Sequence, residues 1–239
     1  MTIHGSLFQD YQETTGQDPF VLQNKKLLKI NMGYGPVNAK LGSMVAYQGD
    51  VSFQNTGSGG LNKMLKKAVT GEGVNMMQAT GTGELFVADM ASEVQVFYLE
   101  NDMVSCNGAS VLAFSASIEW DIKRIGSGAG MAAGGMYNVE LRGTGYVALT
   151  TKGDPVVLDV SGAPTFADPN AVVFWTSGVQ MSVKTDTGGM KSLLRGGTGE
   201  LFQLAFGGQG YVMVQPAENV VTSGAQKSSG GGLLGGLTG

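Results

Sequence analysis

A Gly-x-Gly step recurs three times along this chain, and the residues around it repeat as well. Gly81-Thr82-Gly83-Glu84-Leu85 returns as Gly143-Thr144-Gly145-Tyr146-Val147, 62 positions later, and as Gly208-Gln209-Gly210-Tyr211-Val212 a further 65 on. Before each step stand apolar residues at every second position: Met77 and Ala79, Val139 and Leu141, Leu204 and Phe206. After it stand Leu85 and Val87, Val147 and Leu149, Val212 and Val214. Spacing of two sends successive side chains to one face of a sheet, the pattern of a half-buried strand. Each block therefore reads as strand, Gly-x-Gly turn, strand, with glycine supplying the positive φ of a tight turn. A fixed long period constrains the fold more than any single motif.

A second element keeps nearly the same interval. Ile118, Trp120 and Ile122 alternate with Glu119, Asp121 and Lys123, and Val179, Met181 and Val183 alternate with Gln180, Ser182 and Lys184. Bulkier stretches precede both, 111–114 and 171–175, as a buried strand or hairpin arm would. Residues 20–70 form a degenerate first module, with strands near 26–30 and 44–53, followed by modules at about 71–127 and 135–215. The expected domain is thus 20–216, between an N-terminal extension, 1–19, and a flexible Gly/Ser-rich tail, 217–239. Leu61, Met64, Leu65 and Ala68 stand at helical spacing with Lys63, Lys66 and Lys67 opposite, which predicts one short amphipathic helix. The glycine-rich stretch 125–135 reads as a connection between modules.

Composition narrows the function classes. Only 14 % of residues are charged, against about 25 % in a typical soluble domain, so the surface is neutral, weakly self-repelling and suited to self-association. The net charge of −4 removes the general attraction to phosphate, which disfavours nucleic acid as a partner. Cys106 is the single cysteine and His4 the single histidine, so no disulfide and no Cys/His zinc set can form within one chain. The start has no signal-peptide pattern and no run of about 20 apolar residues occurs, which makes the cytoplasm the expected location.

Candidate chemistry is sparse. His4 lacks a second histidine, and Cys106, ahead of Asn107-Gly108, reads as a small buried or turn-edge residue. Glu84 with Asp89, or Glu119 with Asp121, could make a carboxylate pair; the latter two share a strand's polar face about 7 Å apart, as solvated residues do. Glu72 and Glu200 each follow a glycine and belong to a turn signature. The Gly-x-Gly steps lack the following helix that a phosphate loop needs. Trp120, Phe174 and Trp175 fall in repeat-equivalent strands and are assigned to the core. Lys63, Lys66 and Lys67 are the candidate electrostatic contact, toward an anionic membrane surface or RNA. No catalytic, cofactor-binding or metal residue is assigned.

Gly42-Ser43-Met44-Val45-Ala46-Tyr47-Gln48-Gly49-Asp50-Val51, then Gly71-Glu72, then the Gly-x-Gly blocks ending in Gly207-Gly208-Gln209-Gly210-Tyr211-Val212 give the chain its resemblance. In their order and spacing they resemble the altered-inheritance-of-mitochondria family of TRAP-like β proteins, common in bacteria and present in mitochondria, over residues 20–216. The resemblance implies an all-β fold, a double-stranded β-helix or sandwich-like barrel with internal repeats, that forms homo-oligomers, a trimer among them. It implies no enzymatic activity and no functional residue set; mitochondrial members are linked to inner-membrane organisation. The expected function is a non-enzymatic, self-assembling scaffold working through an unidentified protein partner, with a membrane surface as one setting. The alternative is a module holding a small ligand or RNA between its β units.

Overall fold

Apolar residues at every second position leave backbone N–H and C=O groups that only neighbouring strands can satisfy, and this chain answers with antiparallel sheet throughout. The computed structural model describes residues 4–57, 75–125, 136–185 and 202–216. The expected helix at 61–68, with Lys63, Lys66 and Lys67, lies outside the described residues, as do 126–135, Glu72, Glu200 and the tail. Among the described residues the one α-helix is instead α1, Leu7–Asp10.

In chain order the first strands are β1 (Phe20–Asn24), β2 (Leu27–Asn31), β3 (Val37–Lys40), β4 (Met44–Gly57) and β5 (Met76–Val87). Next come β6 (Glu93–Asn107), β7 (Val111–Ser115), β8 (Glu119–Ile125) and β9 (Met136–Thr151). The last are β10 (Val156–Asp159), β11 (Thr165–Ala167), β12 (Val172–Thr176), β13 (Val179–Thr185), β14 (Phe202–Gly208) and β15 (Tyr211–Val214). Among the described residues they form a sheet of twelve strands, running from β1 to β10 without closing on itself, and a second of three, β11-β14-β13.

Three strand groups share one pairing plan. β5, β9 and the pair β14/β15 each lie in the middle of a group. On one flank run β2/β3, β6 and β10/β11; on the other run β4, β7/β8 and β12/β13. Four residues past the first glycine of each step, Leu85 lies between Ile30 and Tyr47, Val147 between Phe97 and Phe114, and Val212 between Leu158 and Trp175. Four residues before it, Met77 lies between Ala39 and Asn55, Val139 between Cys106 and Ile122, and Leu204 between Ala167 and Val183. Even the irregularities coincide: the register shifts at Met44/Ala46, Val111/Ala113 and Val172/Phe174, each time opposite the fifth and sixth residues past that glycine.

Two sequence expectations change here. Gly81-Thr82-Gly83 and Gly143-Thr144-Gly145 do not turn one strand into its neighbour; they lie inside the continuous strands β5 and β9. The reason is steric. At Gly81 and Gly83, with φ of +117° and +122°, an added Cβ would lie 2.0 Å from the Asp50 or Gln48 carbonyl oxygen, so glycine is what lets the backbone of β4 pair alongside β5 at this range. The groups also divide differently. Boundaries at 71 and 135 would separate β5 and β9 from the strands they pair with, whereas the pairing joins 27–87, 93–151 and 156–214.

Adjacent groups are stitched by backbone pairing. β3 adds to β7, with Asn38 opposite Phe114, and β6 adds to β12, with Ser105 opposite Trp175. The apolar interior follows these seams. Leu28, Ile30, Ala39, Leu85 and Leu112 belong to one buried cluster; Cys106, Phe114, Val139, Leu141 and Val173 to a second; Trp175, Leu204, Phe206 and Val212 to a third. Phe174 is buried and stacked on Phe97, and Trp120, partly buried, packs edge-on to Phe114 against the same cluster.

Candidate functional site

The most heavily buried ionisable side chain with charged partners is Lys29, on β2. Leu28 and Ile30 point into the core, so strand alternation sends Lys29 to the opposite face, where it is nonetheless only 2 % exposed. The N-terminal arm covers it. Lys29 Nζ donates to Glu13 Oε1 at 2.9 Å, to Glu84 Oε1 at 3.2 Å and to the Thr14 carbonyl oxygen at 2.5 Å. Gln23 fastens the same arm, accepting from the Thr14 N–H at 2.9 Å and donating to the Gln12 carbonyl at 3.0 Å. Burial disfavours the ammonium, but its bonds to Glu13 and Glu84 outweigh that and raise the Lys29 pKa. The bond to Lys29 in turn holds Glu13 below the ordinary carboxylate value. A lysine that stays charged is a poor nucleophile, so this cluster clamps the arm to the sheet. Sequence reasoning missed it, since nothing in the run Leu27–Ile30 tells a solvated lysine from a covered one.

Among the described residues, the carboxylates Glu84, Asp89 and Asp121 singled out in the sequence pair with lysines and not with one another. Glu84 faces Lys29, whereas Asp89 accepts from Lys40 Nζ at 2.5 Å and does not form a carboxylate pair with Glu84 through any shared bond. Asp121 lies 3.2 Å from Lys123 Nζ, with Glu140 at 3.9 Å from the same nitrogen, a surface network in which Glu119 is not joined. Cys106 is fully buried and burial pushes its thiol well above the ordinary value, which removes thiolate reactivity. His4 is exposed in the arm. Among the described residues no three His, Cys, Asp or Glu side chains are grouped as metal ligands, and no helix is long and apolar enough to cross a membrane.

One shallow cavity of about 170 Å³ opens between Pro19, Tyr34, Pro36 and Ser117. Its lining holds no charged side chain, and three of its polar side chains already serve the fold: the Asn31 side chain caps Gly33, Ser115 Oγ accepts from the Tyr146 N–H, and Ser117 Oγ donates to the Thr144 carbonyl. That leaves little to orient a ligand.

Surface shape is more informative than chemistry. β4 is 14 residues long and pairs only with β5 among the described strands, none of which lies along its far edge. Its first half is also uncovered on its faces: every residue from 44 to 50 is exposed, including Val45 at 59 % and Tyr47 at 48 %. The corresponding residues of the other groups, Leu112 with Phe114 and Val173 with Trp175, are buried. At the other end of the strand series, Val156, Val157 and Phe166 on β10 and β11 are exposed as well. Exposed apolar residues gathered on open strands mark contact surfaces.

Comparison with known proteins agrees with this architecture. An uncharacterized protein of Streptococcus pyogenes serotype M6 is 25 % identical over 202 residues, covering 79 % of this chain and 80 % of the relative. The crystal structure of protein SPYM3_0169 from Streptococcus pyogenes superposes with a TM-score of 0.67 at 21 % identity, over 83 % of this chain and 92 % of that one, a likeness of fold. The family model for mitochondrial biogenesis AIM24 matches residues 20–217, which takes in every strand described above and leaves the N-terminal arm outside. With that match spanning most of its length, the chain belongs to the mitochondrial biogenesis AIM24 family.

Proposed function

We propose that this protein is a non-catalytic β scaffold that assembles with copies of itself and acts through protein contacts, in the cytoplasm or at a membrane surface. One observation carries the reading: residues 44–47 are exposed on an open strand, while the residues in the same register of two other strands are buried. Low charge supports it, since 14 % charged residues leave little like-charge repulsion to oppose association. The family resemblance to self-assembling TRAP-like proteins points the same way. The non-catalytic reading is supported by the burial of the Cys106 thiol and by the engagement of Lys29 with Glu13 and Glu84, which leave neither group an activated nucleophile.

Size-exclusion chromatography with light scattering tests it. The expected mass is a multiple of 24.8 kDa that falls on dilution; a monomer at every concentration, up to hundreds of micromolar, would refute the reading.

A further inference from the structure

Each internal seam follows one rule. The outer flank of one strand group (β3, then β6) adds its edge to the opening strand on the other flank of the next group (β7, then β12). The register is the same both times: Val37, Asn38 and Ala39 face Ser115, Phe114 and Ala113, and Val104, Ser105 and Cys106 face Thr176, Trp175 and Phe174. These contacts bury what they touch, with Asn38 at 6 %, Ser105 at 7 %, Phe114 at 0 % and Trp175 at 9 % exposure.

Three groups joined in series have two such contacts and two ends along which no described strand pairs. One end is the start of β4, whose Ala46, Tyr47 and Gln48 hold the register of Ala113, Phe114 and Ser115. The other is β11, whose Thr165, Phe166 and Ala167 hold the register of Val104, Ser105 and Cys106. Among the described strands β11 pairs only with β14, and β4 does not pair with β11. Both ends show the signature of a missing neighbour, since Tyr47 and Phe166 are 48 % and 49 % exposed where their counterparts are buried. Among the described residues the arm meets the β4 end through a hydrogen bond from Gln48 Nε2 to Glu13 Oε2 at 3.3 Å and adds no strand to its edge.

We infer that β11 of one copy adds, antiparallel, to the edge of β4 of a second copy, repeating between chains the contact made twice within each chain. Tyr47 lies opposite Phe166, Ala46 opposite Ala167 and Gln48 opposite Thr165, an aromatic pair where the internal seams set an aromatic against a small polar residue. Because the two edges differ, the contact is head-to-tail, and closure of a ring or reciprocal pair uses up every open end. The inference rests on the self-assembly reading above and names its surface.

Two single variants of the full chain, Ala46→Cys and Ala167→Cys, test the register by oxidative cross-linking, with wild type as the blank because Cys106 is buried. The expected result is a disulfide-linked dimer in the mixture and none in either variant alone. As a second readout, Tyr47→Lys and Phe166→Lys should each weaken association about tenfold or more, since an inserted lysine blunts a strand edge, with circular dichroism unchanged. A wild-type oligomer whose mixed cysteine variants do not link, or one unaffected by both lysines, would overturn this seam while leaving self-assembly standing. Linking of Ala46→Cys with itself would replace the seam by a symmetric β4 contact. A monomer at all concentrations would overturn both.

Discussion

Gly81 and Gly143 occupy the same position in two strand groups, yet they should tolerate a methyl group very differently. Both have positive φ, +117° and +127°, so alanine at either meets an unfavourable backbone conformation, worth about 1–3 kcal/mol. Space separates them. A Cβ at Gly81 would lie 2.0 Å from the Asp50 carbonyl oxygen and 3.1 Å from its carbon, whereas at Gly143 the nearest atom is the Ser117 carbonyl oxygen at 3.5 Å, an ordinary contact. Relieving the first clash means moving β4 by more than about 1 Å against its ladder with β5, and forced repacking of that kind costs a further ~1–3 kcal/mol. Gly81→Ala should therefore destabilise by about 2–6 kcal/mol and Gly143→Ala by about 1–3 kcal/mol. For a domain of this size the difference corresponds to a Tm gap of roughly 2–12 °C. Urea and thermal unfolding of both variants, followed by circular dichroism, measure it. Equal losses, or a larger loss for Gly143→Ala, would refute the claim that the glycines of β5 let β4 pair with it at close range.

Two further outcomes follow from the buried groups. Cys106 should resist alkylation by iodoacetamide at pH 8 in the native protein and react at once in denaturant, because burial keeps the thiol protonated; fast native labelling would show the site to be open. The arm clamp should be pH-dependent: the Glu13 pKa is lowered from 4.5, so its contribution is complete above that value and is lost as pH falls below it, and the raised pKa of Lys29 sets the alkaline limit above 10.5. Protection of the amides across 11–17, measured relative to their intrinsic exchange rates at each pH, should fall below pH 4.5 in wild type and be low at all pH values in Glu13→Gln; an arm as well protected in that variant as in wild type would count against the clamp.

Much of the architecture is legible in the sequence because sheet periodicity is local. Leu28 and Ile30, Leu85 and Val87, or Trp120 and Ile122 report their strands wherever the partners stand, and the three Gly-x-Gly steps mark equivalent registers. What those glycines do is not legible. Positive φ serves a hairpin turn and a bend within a strand equally, and the choice between them lies with Asp50 and Gln48, some 30 positions away. For the same reason spacing alone starts a module at 71, whereas pairing joins β5 to the strands before it. Lys29 illustrates a second limit: period two gives its face, but the cover over that face comes from Glu13 and Thr14 through side-chain bonds that no pattern announces. The open seam was hidden too, because Met44–Tyr47 is as apolar as Val111–Phe114; only exposure distinguishes a strand that has found its neighbour from one that has not.

Amide hydrogen exchange of residues 44–48 and 165–167, followed as a function of protein concentration, tests the central claim most directly. At low concentration the β4 segment should exchange faster than residues 111–115, which share its register but have β3 alongside. As concentration rises, both open segments should gain protection together, over the same range in which the mass increases. Protection that stays constant across that range, or that rises at β4 without rising at β11, would contradict the account.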